Sequence, residues 1–323
     1  MLPIDDRLLI LILALAVDAL IGDPKWLWRR LPHPTVLMGR AVAWLDVNLN
    51  GPHAHPGMRA RSGVLALVLL AMGAASIGYL LTLLFSALPV SMLLEVLLVA
   101  ILLAGRSLYD HVRSVARALK EDGVEGGRKA VRHIVGRDPA SLDAYGVGRA
   151  SIESAAENFS DGVVAPAFWY ALLGLPGILA YKAINTADSM IGHRTPRYAA
   201  FGRAAARVDD AVNWIPARLS AGLFIAAAWA VGDDSGRAAE AVREDAPKHR
   251  SVNAGWPEAA VAGALGLALA GPRTYGDRVV DDAWMNASGR DDATVDDINR
   301  ALKLYVWAGA IMWLIYALLS LAV

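Results

Sequence analysis

The 323-residue sequence contains no cysteine, and only 19% of its residues are charged. Without cysteine the chain has no disulfide scaffold, thiolate zinc site, iron–sulfur cluster or cysteine nucleophile. Basic and acidic side chains number 31 each, so the formal net charge is zero. A nucleic-acid-binding protein needs a basic excess, and this balance therefore argues against one. The chain also lacks the GxxxxGKS/T, GxGxxG, HExxH and GxSxG motifs, so any nucleotide must bind outside the common soluble folds.

Long hydrophobic segments dominate the chain. Hydrophobic residues make up 56% of it, which together with the low charge favours a membrane protein. Residues 63–88 and 304–323 contain no charged side chain, and each is long enough to cross about 30 Å of hydrocarbon. Weaker or interrupted segments lie at 8–21, 92–105, 163–181, 214–232 and 257–270. The sequence thus predicts an all-α, polytopic membrane helix bundle with five to seven membrane segments, forming a single membrane-embedded domain over residues 1–323.

Lysine and arginine in the connecting segments predict the topology. Residues 22–62 contain six of them and residues 106–162 contain nine, whereas residues 86–91 contain none. Because basic loops stay in the cytoplasm, we expect 22–62 and 106–162 on the cytoplasmic side. A re-entrant hairpin at 174–177 (Gly-Leu-Pro-Gly) is an alternative to a straight span, provided that protein or a water-filled cavity surrounds it.

The basic 106–162 segment has the pattern of a helical loop. Leu108, Val112, Val115 and Leu119 recur at helical spacing, which predicts an amphipathic helix. Asp138 and Pro139 match an N-cap followed by proline at the first helical position, and they predict a second helix over 139–158.

A first polar cluster lies directly before the 163–181 segment. It consists of Glu153, Glu157, Asn158, Ser160 and Asp161. Glu153 and Glu157 are four residues apart on one helix face, so both carboxylates can point at one cation. Carboxylate, amide and hydroxyl oxygens are ligands that magnesium prefers. The alternative is a solvated helix end in which Arg149 pairs with Glu153, and the sequence leaves both interpretations open.

A second cluster follows the same segment. Asn185, Asp188 and Ser189 lie on one predicted helix face, and His193 and Arg194 come soon after them. Asp209 and Asn213 repeat the acid-plus-amide pairing at a spacing of four residues. We expect these residues to form a second polar wall of one site, although an ordinary polar loop would carry similar residues.

Two further groups offer cations. Lys248, His249 and Arg250 are adjacent, which suits a phosphate group, but a positive-inside loop would have the same composition. The segment 33–40 (HPTVLMGR) contains His33 and Arg40. An isolated histidine such as His33 is more often structural than catalytic.

Six segments together resemble the adenosylcobinamide-phosphate synthase family of cobalamin biosynthesis (the CbiB/CobD type). They are DALIGDP at 18–24, HPTVLMGR at 33–40, ESAAENFSDGVVAP at 153–166, NTADSMIGHR at 185–194, DDAVNWIPARLSA at 209–221 and DAPKHRSVNAGWPEAAVAGAL at 245–265. The resemblance covers nearly the whole chain. It implies a multi-pass enzyme of the bacterial inner membrane, a carbon–nitrogen ligase. Such an enzyme joins adenosylcobyric acid to aminopropanol or its phosphate through an amide bond, using ATP and Mg2+.

The resemblance gives the polar clusters specific roles. Activation of a carboxylate requires metal and cations around a transferring phosphoryl group. We therefore expect the metal ligands to be Glu153, Glu157, Asp161 and Asp188. The expected substrate and phosphate contacts are Arg40, Asn158, Asn185, Arg194, Asp209, Asn213, Lys248, Arg250 and Asn253. A histidine is expected to take the proton from the attacking amine, and the candidates are His33, His193 and His249.

The expected partners are the lipid bilayer, the two substrates, a second copy of the chain and other late membrane enzymes of the pathway. The active site is expected on the cytoplasmic side. Two alternatives come from other classes of protein. A transporter would use the intramembrane acids Asp18 and Glu95 and the interrupted 163–181 segment as a substrate path. A signalling protein would resemble the related branch linked to β-lactamase induction, which lacks this known chemistry.

Overall fold

A computed structural model describes residues 4–135, 139–275, 278–280 and 282–322. Helices account for most of these residues. They are α1 (Ile4–Ile21), α2 (Lys25–Trp28), α3 (Pro34–Leu49), α4 (Pro56–Ser86), α5 (Ser91–Leu102), α6 (Gly105–Glu121), α7 (Gly123–Val131), α8 (Ala144–Phe159), α9 (Ala165–Ile191), α10 (Arg203–Val212), α11 (Trp214–Val231), α12 (Ser235–Glu244), α13 (Gly255–Leu265) and α14 (Val295–Ala322).

The remaining regular elements are short. Tight helical turns occupy Pro139–Ser141 and Ala246–Lys248, and a π-helical turn occupies Ser160–Val164. The strands are β1 (Leu269–Ala270), β2 (Arg273–Tyr275), β3 (Arg278–Val280) and β4 (Trp284–Met285). β1 pairs antiparallel with β4 and β2 pairs antiparallel with β3, so each sheet has two strands. The prediction of an all-α membrane protein is confirmed.

In the described part of the chain, five helical stretches are long and apolar enough to cross a membrane. They are Pro56–Ser86, Ser91–Glu121, Ala144–Ile191, Trp214–Val231 and Val295–Ala322. Their number lies within the predicted range of five to seven. The weaker predicted segments at 8–21 and 257–270 correspond to α1 and α13, which are not among the five. The chain is therefore a polytopic helical membrane protein.

The chain forms two compact units. The first comprises residues 1–104, 165–213 and 316–323, and the second comprises residues 105–164 and 214–315. The single membrane-embedded domain stays a prediction, and the two units are described separately below.

Small residues bring the helices of the first unit close together. Val42 and Leu45 of α3 pack with Leu67 and Leu70 of α4 in a core that also contains residues of α9. At Gly63 of α4, a Cβ atom would lie only 1.9 Å from the carbonyl oxygen of Phe201. Glycine is therefore required where α4 meets the segment after α9, as is typical of closely packed membrane helices.

The α9 helix is interrupted at the predicted position. Gly174 has φ 65° and ψ −151° and breaks the helix just before Pro176. The Arg7 side chain donates hydrogen bonds to the carbonyl oxygens of Ala171, at 3.1 Å, and Leu172. These bonds supply partners for carbonyl groups left without an intrahelical donor at the break. The structure thus confirms the interruption at 174–177.

The second unit contains the predicted amphipathic helix. α6 buries Leu108, Val112 and Val115, which confirms the interpretation of their spacing. The next predicted helix, over 139–158, begins later, at α8. Asp143 is its N-cap, because the carboxylate accepts the N–H of Gly146 at 2.7 Å. Pro139 starts a separate short turn, and Asp138 lies outside the described residues.

Two alanine variants of α4 test the close approach at Gly63. Gly63→Ala places a methyl group against backbone that cannot move easily, so we expect a loss of several degrees in the melting temperature of the detergent-solubilised protein. Gly73→Ala is the matched control in the same helix, because nothing lies within 4 Å of its added Cβ. Alanine favours helix over glycine, so this variant should be neutral or slightly more stable. Equal melting temperatures for the two variants would contradict the packing of α4 described here.

Candidate functional site

The first unit contains a buried network of carboxylate, amide and hydroxyl groups. Asn185 of α9 donates to Oδ1 of Asp209 at 3.3 Å, and Asn213 donates to Oδ2 of the same carboxylate at 3.0 Å. The hydroxyl of Tyr181 donates to Oδ1 of Asn213 at 2.9 Å. The side chains of Tyr181, Asp209 and Asn213 are all buried. The structure thus brings together three residues that the sequence placed in one polar wall.

Neighbouring charges have opposite effects on the acids around this network. Burial raises the pKa of Asp209 to about 7, and the charge of Asp188 adds to this increase, whereas the amide hydrogen bonds lower the pKa. Burial also raises the pKa of Asp210, whose carboxylate is stabilised by the positive charge of Arg194. Asp188, Asp209 and Asp210 therefore form a cluster of acids near the exposed Arg194.

This cluster offers part of a divalent cation site. Within the described residues, no group of three or more histidine, cysteine, aspartate or glutamate side chains could hold a metal ion. Magnesium usually takes only one or two protein carboxylates and completes its shell with waters and substrate phosphates. The buried carboxylate of Asp209, the nearby charge of Asp188 and the amide of Asn185 fit that requirement. The donor chemistry is therefore suitable for Mg2+ bound together with a phosphate.

The segment after α9 carries two further predicted residues. His193 and Arg194 are exposed and follow Gly192, whose N–H donates to the carbonyl oxygen of Asp188 at 2.7 Å. The structure therefore places both residues at the end of α9, next to the acid cluster.

Two other predicted site residues, His33 and Arg40, belong to the N-cap and the body of α3. His33 is the N-cap of α3, where its Nδ1 accepts the N–H of Thr35 at 3.2 Å. Its Nε2 lies 3.7 Å from Asp23. Arg40 is exposed, and helical geometry puts it on the opposite side of α3 from the buried Val42. Neither residue belongs to the hydrogen-bonded network around Asp209.

The other three predicted metal ligands belong to the second unit. Glu153 is buried, and its Oε1 accepts the N–H of Ala270 in β1 at 2.9 Å. Glu157 is exposed one turn further along α8. Asp161 lies in the π-helical turn Ser160–Val164, a type of irregularity that is frequent at functional sites. One carboxylate oxygen of Glu153 therefore binds the backbone of β1, whereas the side chain of Glu157 is exposed.

Other polar side chains of α8 contact their own unit. The amide of Asn158 donates to the carbonyl oxygen of Ser154 at 2.9 Å, one turn back in the helix. Arg149 donates to the carbonyl oxygen of Asp291, and its guanidinium lies 6.0 Å from the centre of the Trp284 ring.

The cationic segment after α12 is folded into a tight turn. Lys248 is exposed and forms an ion pair with Asp245 at 2.8 Å. Nδ1 of His249 lies 3.0 Å from the backbone N–H of Ser251 and 3.2 Å from the carbonyl oxygen of the same residue, and its Nε2 points the other way. That nitrogen lies 3.7 Å from the buried carboxylate of Glu258. His249 thereby links the turn to α13, while Arg250 is exposed beside it.

Arg218 is a residue whose role the sequence did not reveal. Its guanidinium lies between two indole rings, 4.1 Å from the centre of Trp214 and 4.2 Å from that of Trp256. It also donates to Oδ1 of Asn253 at 3.2 Å. Stacking on two tryptophans stabilises a cation in this partly apolar setting. Arg218 thus fastens the segment containing Asn253 to the start of α11.

Lys182 is a second residue absent from the sequence-based site. It is buried in α9, one turn before Asn185. A lysine directly at the end of the apolar 163–181 segment was the available signal, because such residues usually have a function.

These features define a class: a polytopic helical membrane protein with acid-plus-amide groups at the ends of its spans. The chain belongs to the family described as CobD/Cbib protein, whose match covers residues 11–305.

The relatives are similar over almost their whole length. The chain is 52% identical to "Cobalamin biosynthesis protein CobD" of Rhizobium meliloti (strain 1021), a match that covers 97% of each chain. It is 52% identical to the protein of the same name from Brucella anthropi, over 93% of this chain and 92% of the relative. It is 45% identical to that of Rhodobacter capsulatus, over 96% of each chain. No solved structure gives a significant match.

The raised pKa of Asp209 predicts a pH-dependent stability in the absence of metal. In the unfolded chain this carboxyl titrates near its ordinary value of about 4. The folded value is about 7, so the stabilising contribution is present below pH 4 and is lost as the pH rises through 7. Asparagine does not ionise, so the Asp209→Asn variant does not lose this stability as the pH rises. We expect its melting temperature relative to wild type, measured in EDTA, to rise by several degrees from pH 4 to pH 8.

The test is how the difference in melting temperature between Asp209→Asn and wild type changes with pH. Its absolute size is not informative, because the substitution also alters one hydrogen bond at every pH. Asp122→Asn is the control, since Asp122 is exposed and its carboxylate caps no helix. A constant difference between Asp209→Asn and wild type across the pH range would contradict a raised pKa.

Proposed function

We propose that the chain acts in cobalamin biosynthesis as a carbon–nitrogen ligase that joins the side-chain carboxylate of adenosylcobyric acid to aminopropanol or its phosphate. The observation that supports this most directly is the acid–amide cluster of Asn185, Asp188 and Asp209 beside the exposed Arg194. Together with membership of the CobD/Cbib family, this cluster matches the requirement for a phosphate-bearing substrate held with a divalent cation.

Amide formation from a carboxylate requires an activated acyl group. In the proposed reaction a carboxylate oxygen of the corrinoid attacks the γ-phosphorus of ATP, so that an acyl phosphate forms and ADP leaves. The amine then attacks the acyl carbon, the C–N bond forms, and inorganic phosphate leaves with the electron pair of the broken C–O bond. Catalysis of phosphoryl transfer depends mainly on positioning and charge stabilisation.

Residues of the first unit are assigned to these needs. Asp188, with Asp209 and Asn185 beside it, would hold Mg2+, which when bound neutralises charge on the phosphates. Arg194 contacts phosphate oxygens, because its planar guanidinium can donate two parallel hydrogen bonds. His193 takes the proton from the attacking ammonium group, since imidazole titrates near neutral pH.

Further proposed site residues lie in the second unit, whereas His33 belongs to the first. Glu157 and Asp161 stay proposed metal ligands together with Glu153, and Lys248 and Arg250 stay proposed phosphate contacts. Asn158 and Asn253 contact polar groups of the substrates. The geometry favours a structural role for His33 and His249, because Nδ1 of each ring accepts a backbone N–H from its own turn.

Purified protein in a reconstituted assay tests the reaction. Incubation with adenosylcobyric acid, ATP, Mg2+ and each aminoalcohol should give the amide, detected by mass spectrometry, only when all components are present. Asp188→Asn and Glu157→Gln should each raise the Mg2+ concentration for half-maximal rate by about tenfold or more, because each removes a charge from a hard-cation site. Asp122→Asn should be silent.

The outcomes distinguish the classes of function. Movement of a corrinoid across proteoliposomes without amide formation would support a transporter instead. Neither movement nor product would support a signalling protein. An active Glu157→Gln variant with unchanged Mg2+ dependence would remove Glu157 from the metal site.

We further propose that the protein resides in the bacterial inner membrane with 22–62 and 106–162 in the cytoplasm, the side of the active site. The natural chain has no cysteine, so single cysteines can be introduced for labelling. In intact cells an impermeant maleimide should label Leu88→Cys, whereas His53→Cys and Glu125→Cys should react only after the membrane is opened. Labelling of position 53 or 125 from outside would refute this topology.

A further inference from the structure

The segment 192–202, which follows α9, is held by a buried carboxylate of α3. Nε and Nη2 of Arg197 lie 3.2 and 2.6 Å from Oδ2 of Asp46. The hydroxyl of Tyr198 donates to the same oxygen at 3.4 Å. The Asp46 side chain is only 10% exposed, whereas that of Arg197 is 52% exposed. The carboxylate is thus the fixed partner, and the segment is attached to it.

The backbone of this segment is held as well. Asn50 donates to Oδ1 of Asp46 at 2.7 Å and to the carbonyl oxygen of Arg197 at 3.3 Å. Arg59 donates to Oδ1 of Asn50 at 2.7 Å, to the carbonyl oxygen of Pro196 at 3.4 Å and to that of Arg197. Two side chains therefore bind the carbonyl groups of 196 and 197, and both are connected to Asp46.

The end of the segment is fixed by packing. Phe201 is fully buried in the core formed with α3, α4 and α9. Gly202 lies so close to the end of α9 that a Cβ there would be 1.6 Å from the carbonyl oxygen of Ile191. Residues 196–202 consequently have little freedom, although several of their side chains are exposed.

The same segment carries Arg194, whose charge acts on Asp210. Arg194 and Arg197 are three positions apart, so their Cα atoms are at most about 11 Å apart. The contacts that hold Arg197 therefore restrict the position of Arg194. Removing the Asp46 charge would leave the guanidinium of Arg197 without its ionic partner and would loosen the segment around Arg197, while Phe201 and Gly202 still anchor its end.

We infer that Asp46, acting through Arg197 with Asn50 and Arg59, is a positioning residue. It fixes the position from which Arg194 contacts a phosphate group. The inference rests on the proposed function, in which Arg194 contacts the phosphate of ATP or of the aminoalcohol. Asp46 itself touches no substrate. It determines affinity for the phosphate-bearing substrate by fixing the segment that supplies the cation.

The variants are Asp46→Asn, Arg197→Gln, the double variant and the conservative Asp46→Glu. Each is assayed for kcat and for KM with ATP, aminopropanol phosphate and adenosylcobyric acid. A second readout is the mobility of a nitroxide attached to Thr195→Cys, a site that is exposed and lies within the segment. Arg106→Gln and Asp110→Asn are the matched control, because that pair is exposed at 3.0 Å in α6.

Asp46→Asn should raise KM for at least one phosphate-bearing substrate by about tenfold, with kcat and KM for the corrinoid within about twofold. The nitroxide should become more mobile in Asp46→Asn and in Arg197→Gln. The double variant should be no worse than either single variant, because both remove one interaction. Asp46→Glu should recover part of the affinity, and the control pair should change nothing.

Unchanged nitroxide mobility, or an equal loss in kcat and in KM for every substrate, would overturn the inference. If Asp46→Asn does not fold, the inference is tested by the same criteria with Arg197→Gln, a substitution of a half-exposed side chain. If the wild type forms no amide, the proposed function fails on its own. The nitroxide mobility then still shows whether Asp46 holds the segment.

Discussion

A carboxylate withdrawn from water must receive hydrogen-bond donors or a cation, and this requirement organises both units of the protein. Asp209 receives two amide donors, Asp46 receives an arginine and an asparagine, and Glu153 receives a backbone N–H. The bonds from Arg197 and Ala270 join segments 151 and 117 positions apart, and the bond from Asn185 joins α9 to α10, whereas Asn50 and Asn213 each bind an acid four positions earlier. The buried acids therefore fix the connecting segments in a protein whose helices otherwise pack through apolar and small residues.

Two of these acids, Asp46 and Asp209, differ in how completely their charge is compensated. Asp46 has a guanidinium partner, so its charge is compensated within the protein. Among the residues that the structure describes, the donors to Asp209 are the neutral amides of Asn185 and Asn213, and the nearby charge of Asp188 opposes its ionisation. An uncompensated buried acid with a raised pKa is typical of a functional site, whereas a paired one is typical of a structural contact. Within the first unit, this difference is the physical reason for proposing metal binding at Asp188 and Asp209 and positioning at Asp46.

Membership of the CobD/Cbib family and the arrangement of side chains contribute different parts of the functional argument. The relatives direct attention to cobalamin biosynthesis. The structure separates residues within each cationic group by their contacts: His193 and Arg194 are exposed beside acids, whereas Nδ1 of His249 accepts a backbone N–H and Nε2 faces Glu258. Two residues, Arg218 stacked on two tryptophans and the buried Lys182, enter the description only through this geometry.

The sequence by itself determined the all-α membrane class, the amphipathic helix of Leu108 to Val115 and the interruption at Gly174, because each depends on residues close together in the chain. Tertiary structure decided which distant groups meet. Asp46 and Arg197 are 151 positions apart, and Glu153 and Ala270 are 117 apart. No spacing rule relates such residues, since their contact depends on how helices pack.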